Sequence, residues 1–95
     1  MPIWQRQLLG RLQRFKRYPD LARARREEGV VHLTFAMDRA GRVISAGIAR
    51  GSGFPELDAE TLALVRRAEP LPASPPAMPG NPLTLTVPVR SSLRQ

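Results

Sequence analysis

A proline stands inside an alternating apolar run, Leu83-Thr84-Leu85-Thr86-Val87-Pro88-Val89. Leu83, Leu85, Val87 and Val89 share one face at a period of two, while Thr84, Thr86 and Pro88 share the other. Proline has no N–H to give to a ladder, so within a sheet it is confined to an edge strand with its nitrogen turned outward. Backbone groups alternate in the plane of a sheet as side chains alternate across it. The even-numbered residues are therefore expected to turn their N–H and C=O groups toward an open edge. Such an edge is a binding site made of backbone.

Earlier segments supply the rest of the sheet. From Val30 the period is also two, with Val31, Leu33, Phe35 and Met37 on one face and Val30, His32, Thr34 and Ala36 on the other. The first set is larger and more apolar, so it is expected to meet the helices. Asp38-Arg39-Ala40-Gly41 fits a type I turn with aspartate first and a left-handed glycine fourth. The returning strand, Arg42 to Arg50, is apolar on both faces; Ile44, Ala46 and Ile48 are its expected core residues. A hairpin, a crossover helix and a third strand beside the first give the order 2-1-3, all antiparallel. The expected class is α+β: a three-stranded antiparallel sheet packed on one face by helices, open at its last strand.

Three helical segments cover that sheet. Residues 3–17 read as an amphipathic helix, with Trp4, Leu8, Leu12 and Phe15 on one stripe and arginines on the other face. Such a basic helix can lie on a membrane surface, but a core-facing stripe is the commoner arrangement. Gly10 costs it about 1 kcal/mol relative to alanine, so it needs tertiary support. Tyr18-Pro19 breaks it, and a shorter helix around Leu21–Arg26 is expected to end near Gly29. Gly51-Ser52-Gly53 reads as a strand-to-helix turn, since no Gly-Lys-Ser/Thr follows to make a phosphate loop. Asp58 is the expected N-cap of the next helix, with Leu57 and Leu62 as its staple. Leu62, Val65 and Ala68 form the expected buried stripe, bordered by Thr61 and Leu64. Arg66 and Arg67 suit the negative end of its dipole, and Glu69-Pro70 ends it. Six of the ten prolines lie in residues 70–82, read as a stiff crossover to the last strand.

Ninety-five residues make one domain, here a basic helix over 1–17 and an α/β unit over 18–95. The chain has no cysteine, which excludes disulfides and thiolate metal sites. No apolar run approaches the ~18 residues of a membrane span, so any anchor or export signal is expected to lie outside this chain. His32 is the only histidine, and it sits mid-strand on the more polar face. Each of the eight carboxylates falls at a turn, a cap or a helix start. No catalytic residue, metal ligand or cofactor site is expected. The net charge of +7 is carried by fourteen arginines and Lys16. Its block within the first third is either a solvated helix face or an attractor of nucleic acid, anionic lipid or acidic protein.

Several of these residues in this order resemble the carboxyl-terminal domain of TonB-type energy transducers, the TonB/HasB-like family. The resemblance runs from about Tyr18 to Val89. It rests on Tyr18-Pro19, Ala24-Arg25, Gly29-Val30-Val31 with Leu33 and Phe35, Asp38 and Gly41-Arg42-Val43. Ser52-Gly53, Leu57-Asp58, Arg66-Arg67-Ala68 with Pro70, and Val87-Pro88-Val89 complete it. The resemblance implies a periplasmic domain of a protein anchored in the bacterial inner membrane through a helix and proline-rich linker that precede this chain. It implies energy drawn from the proton-motive force through an ExbB–ExbD complex. It implies a grip on the TonB box of outer-membrane transporters for siderophores, haem or cobalamin. Leu83, Thr84, Leu85, Thr86, Val87, Pro88 and Val89 are then the partner-binding edge, with Arg11, Arg14, Arg17 and Arg90 as electrostatic contacts. The alternatives are a basic nucleic-acid module, a TolA-like envelope tether and a strand-swapped homodimer. Against the first, Trp4, Tyr18 and three phenylalanines hold mostly apolar positions and leave no stacking platform, so no nucleic-acid partner is expected.

Overall fold

Four large apolar side chains on one face of a strand need a cover, and the helices supply it. The computed structural model describes residues 3–93, so the outer ends of the two sequence spans, residues 1–2 and 94–95, lie outside the described residues. Its elements are α1 (Ile3–Phe15), α2 (Asp20–Ala24), β1 (Gly29–Met37), β2 (Val43–Arg50), α3 (Pro55–Arg67) and β3 (Leu83–Ser91). They build one antiparallel sheet in the order β2-β1-β3, as the sequence led us to expect. Val31, Leu33 and Phe35 stand opposite Val89, Val87 and Leu85, which aligns the helix-facing residues of β1 and β3. Trp4, Leu8 and Leu12 of α1 and Leu64 and Val65 of α3 close over them. Each such side chain, fully buried, contributes about 1.5–3 kcal/mol relative to exposure. Thirteen residues make a marginal helix in water, so α1 depends on this packing.

The hairpin turn forms as its residues dictate. Gly41 N–H donates to Asp38 O at 3.1 Å, and Asp38 Oδ1 accepts from Ala40 and Arg42 N–H at 2.9 Å each. Gly41 has φ 93°, where an added Cβ would stand 2.0 Å from Leu71 O. Leu71 N–H bonds Gly41 O at 2.9 Å, and Trp4 Nε1 bonds Pro72 O at 2.9 Å, so the proline-rich crossover is pinned to turn and helix. Arg39 adds a bond to Met78 O at 2.8 Å.

Three local expectations are overturned. Ile44 is 53 % exposed, whereas Val43 is buried opposite Met37. The register slips between Ala36 and Met37, so a bulge at Ile44 lets Val43, Ala46 and Ile48 all turn toward the helices. Asp58 is not an N-cap: α3 starts earlier, at Pro55, whose fixed φ suits a first helical position, with Phe54 as cap. The Asp58 carboxylate instead reaches back to Ser52 N–H and Oγ at 2.9 Å each. With the helix set in this way Leu57, Thr61, Leu64 and Val65 are buried, and Leu62 is 36 % exposed and staples nothing. Finally, Gly29 does not end α2. Arg26 takes the left-handed conformation at φ 54°, with Glu27 N–H on Ala22 O and Arg26 N–H on Arg23 O closing a Schellman turn. Gly29 is small for another reason, since a Cβ there would meet Ser52 Cβ at 3.0 Å.

Two glycines should respond oppositely to alanine. Gly41→Ala combines a left-handed residue with a backbone clash and should cost more than about 2 kcal/mol. Gly10 lies exposed in α1 with nothing near its absent Cβ. Gly10→Ala should stabilise by about 1 kcal/mol. Urea denaturation midpoints of the two variants against the parent measure both signs.

Candidate partner-binding edge

A three-stranded sheet has two edges, and the two differ here. β2 is interrupted by register shifts near both of its ends. Such shifts twist an edge away from further pairing. β3 pairs with β1 without a shift from Leu83 to Ser91 and carries no charge before Arg90. The regular, uncharged edge is β3.

Which of its backbone groups are free follows from the ladder. Asp38 N–H donates to Arg42 O at 2.9 Å, across the β2 side of β1. Even-numbered residues of β1 therefore address β2, and odd-numbered ones address β3. Because Leu33 faces Val87 and Thr34 faces Thr86, odd residues of β3 bond to β1 and even residues point outward. Thr84, Thr86, Pro88 and Arg90 form the outward ledge. Pro88, opposite His32, is the residue with no N–H to leave unpaired. Lys16 Nζ donates to Arg90 O, as an outward-facing carbonyl at an even position allows.

The ledge lies beside a groove. Gln5, Leu8 and Leu9 of α1 and the Leu85–Pro88 stretch of β3 line an open cleft of about 160 Å³ on the helix side. On the other face Thr34 and Thr86 share a hydroxyl hydrogen bond of 2.8 Å, a cross-strand pair that stiffens the middle of the edge. A strand added to β3 would place alternate side chains in the groove and over these threonines.

The exit of α1 is held against α3 by Glu60. Its Oε2 accepts from Arg17 N–H at 2.8 Å and Arg67 Nη1 at 3.0 Å, and its Oε1 accepts from Arg67 Nη2 at 2.8 Å. Arg67 also donates to Phe15 O at 2.9 Å, satisfying a carbonyl at the end of α1. The Glu60 and Arg67 side chains are only 10 % and 22 % exposed. Burial alone would raise the Glu60 carboxyl, but the bonds from Arg67 and Arg17 outweigh it and hold the group below the usual carboxylate range. Burial lowers the Lys16 ammonium, and Glu60 opposes that.

The arginines proposed from sequence scatter. Arg11 Nε is engaged by Ala68 O at 2.7 Å beyond the end of α3, and its guanidinium lies 4.9 Å from the Phe15 ring. Arg14 is exposed and 5.8 Å from the same ring. Arg17 and Arg90 are exposed, and both contribute backbone groups to the contacts above. Only Arg90 lies on the ledge. Among the carboxylates, Asp38, Asp58 and Glu69 accept from backbone N–H groups of turns and of β2. Glu27 lies in the turn that closes α2 and is buried. Burial, then the neighbouring Glu56, pushes its carboxyl up, and Arg25 draws it down. The sequence alone does not assign Glu60, Gln5 and Leu9 to the site; it marks Arg67 only at the end of a helix dipole, and Lys16 only as part of the basic charge. Signals existed for some: Lys16 is the one lysine among fourteen arginines, and Glu60 and Arg67 lie seven residues apart on one helix face.

The fold and its ledge define an α+β domain with one regular strand open along its outer side. Residues 15–92 match the family described as the Gram-negative bacterial TonB protein C-terminal. The chain is 41 % identical over 81 residues to protein TonB of Pseudomonas putida, covering 85 % of this chain and 33 % of that protein. It is 40 % identical over 78 residues to protein TonB of Pasteurella multocida, covering 82 % of this chain and 29 % of that one. The chain thus spans about a third of the length of these relatives. The solution structure of the Helicobacter pylori TonB carboxyl-terminal domain superposes with a TM-score of 0.80 at 22 % identity, over 97 % of this chain and 82 % of that one. The HasB carboxyl-terminal domain matches with a TM-score of 0.65 at 43 % identity, over 99 % and 72 %. This chain belongs to the TonB carboxyl-terminal domain family.

The Glu60 clamp makes a pH-dependent contribution with a fixed sign. A carboxyl held low in the folded state stabilises above its unfolded pKa, and the contribution disappears as pH falls through the folded value. Glu60→Gln should cost about 1–3 kcal/mol at pH 7. Denaturant titrations from pH 7 downward should show the gap between parent and variant closing below the ordinary carboxylate range.

Proposed function

We propose that this chain is the partner-gripping domain of a TonB-type energy transducer. It binds the TonB box of an outer-membrane transporter by adding that segment as a fourth strand along β3. The observation that carries this reading is the unshifted, charge-free ledge of Thr84, Thr86 and Pro88 beside an apolar groove. Family membership supports the wider setting: a periplasmic domain of an inner-membrane-anchored protein, pulled by ExbB–ExbD through segments preceding this chain, in siderophore, haem or cobalamin uptake. Binding, with no catalytic step and no cofactor, is the whole of its work in this reading.

Energetics favour a reversible grip. Four or five backbone hydrogen bonds, each worth a net ~0.5–1.5 kcal/mol, leave little after the cost of association. Isolated-peptide affinity should be micromolar or weaker. Bonds loaded together along a strand resist pulling better than that equilibrium suggests, which suits a coupling that must engage, transmit force and release.

Thr86→Pro removes an outward donor and leaves Leu85 and Val87 in the core. That variant should fold yet bind a TonB-box peptide at least tenfold more weakly by calorimetry. Thr86→Val gives up the bond to Thr34 but keeps the ledge, and should bind within about threefold of the parent. Equal affinity for all three proteins would reject strand addition at this edge.

A further inference from the structure

Among the hydrogen bonds of the described residues, the one from the Lys16 side chain falls on the outward ledge itself. Its Nζ donates to Arg90 O, the last outward acceptor of β3, and it is held there from two sides. Arg67 Nη1 bonds Phe15 O at 2.9 Å, and Glu60 bonds Arg17 N–H at 2.8 Å, so the residues before and after Lys16 are both fixed to α3. The Lys16 side chain therefore starts from a fixed backbone position within reach of Arg90 O. Lys16 takes one lone pair of the Arg90 carbonyl and sets its side chain where an added strand's backbone would have to lie, so a strand pairs there only by displacing it.

We infer that Lys16 is an edge stop: it ends the docking ledge after Pro88 and so sets both the length and the register of the segment that can be added. This rests on the strand-addition reading above. The partner it fits is an extended segment that pairs over Thr84–Pro88, about five residues, and continues away from the sheet beyond that point. Natural edge strands are commonly protected by lysine. Here the protection is partial, covering the end of the strand and leaving its middle open. A segment sliding two residues toward Arg90 would have to displace Lys16, so the stop discriminates against slipped registers that an uninterrupted, two-residue-periodic ledge would accept.

The test compares the parent with Lys16→Met and Lys16→Arg, using blocked five- and nine-residue peptides centred on the TonB box of a transporter from the same genome. Amide shift mapping reports the paired residues, and calorimetry reports affinity. In the parent, both peptides should move the Thr84 and Thr86 amides and leave Arg90 unmoved, with similar affinities. In Lys16→Met the nine-residue peptide should extend its footprint to Arg90 and gain about tenfold, the worth of one or two added backbone bonds. The five-residue peptide should gain nothing, and Lys16→Arg, which keeps a donor, should behave as the parent. An Arg90 amide that moves equally in parent and Lys16→Met, with equal affinities, overturns the stop while leaving strand addition standing. Peptides that move no β3 amide in any of the three proteins overturn both.

Discussion

Every N–H and C=O in the plane of a sheet must find a partner or face water, and three strands leave two rows of them without a neighbour. The structure is arranged around that constraint. At β2 the row is broken by bulges, which also return Val43, Ala46 and Ile48 to the core after the slip at Ile44. At β3 the row is left straight. Pro88 deletes one donor and Lys16 occupies one acceptor, and between Thr84 and Pro88 the backbone stays open.

Keeping such an edge open without losing the fold requires the strand to be held from its other side. Unshifted pairing with β1 does this, together with the burial of Val89 and the packing of Leu83, Leu85 and Val87 against the core. α1 is part of the same solution. Its Trp4, Leu8 and Leu12 complete the core, its Gln5 and Leu9 wall the groove, and its exit is locked by Glu60 and Arg67. Helix, clamp and strand are therefore tied into one packed unit through the core and through the clamp.

Much of this was legible in the residues. Strict alternation in β1 and β3 can be satisfied by only one face toward the helices, and Pro88 can stand in only one orientation, so core face and ledge direction followed together. Asp38 and Gly41 specified their turn because aspartate at its start and a left-handed glycine at its end each have few other uses. Where alternation failed, legibility failed with it. β2 is apolar on both faces, so its register was decided by Met37 and the bulge and could not be read from Ile44 alone. In α3 the cap is Phe54, four residues before the expected Asp58, and Thr61 and Leu64 are buried where Leu62 was expected. Lys16 reaches Arg90, Glu60 reaches Arg17 and Arg67 reaches Phe15 across long sequence separations, which the seven-residue spacing of Glu60 and Arg67 on one helix face does not reveal.

The central claim is that the even-numbered backbone of β3 faces out and receives the partner. Residue-resolved amide hydrogen exchange tests it most directly, with and without a TonB-box peptide. In the free domain the amides of Leu85, Val87 and Val89 should be strongly protected and those of Thr84 and Thr86 should exchange rapidly. Adding peptide should slow Thr84 and Thr86 selectively. Protection of Thr84 and Thr86 already in the free domain, or no change in them at saturating peptide, would contradict the account.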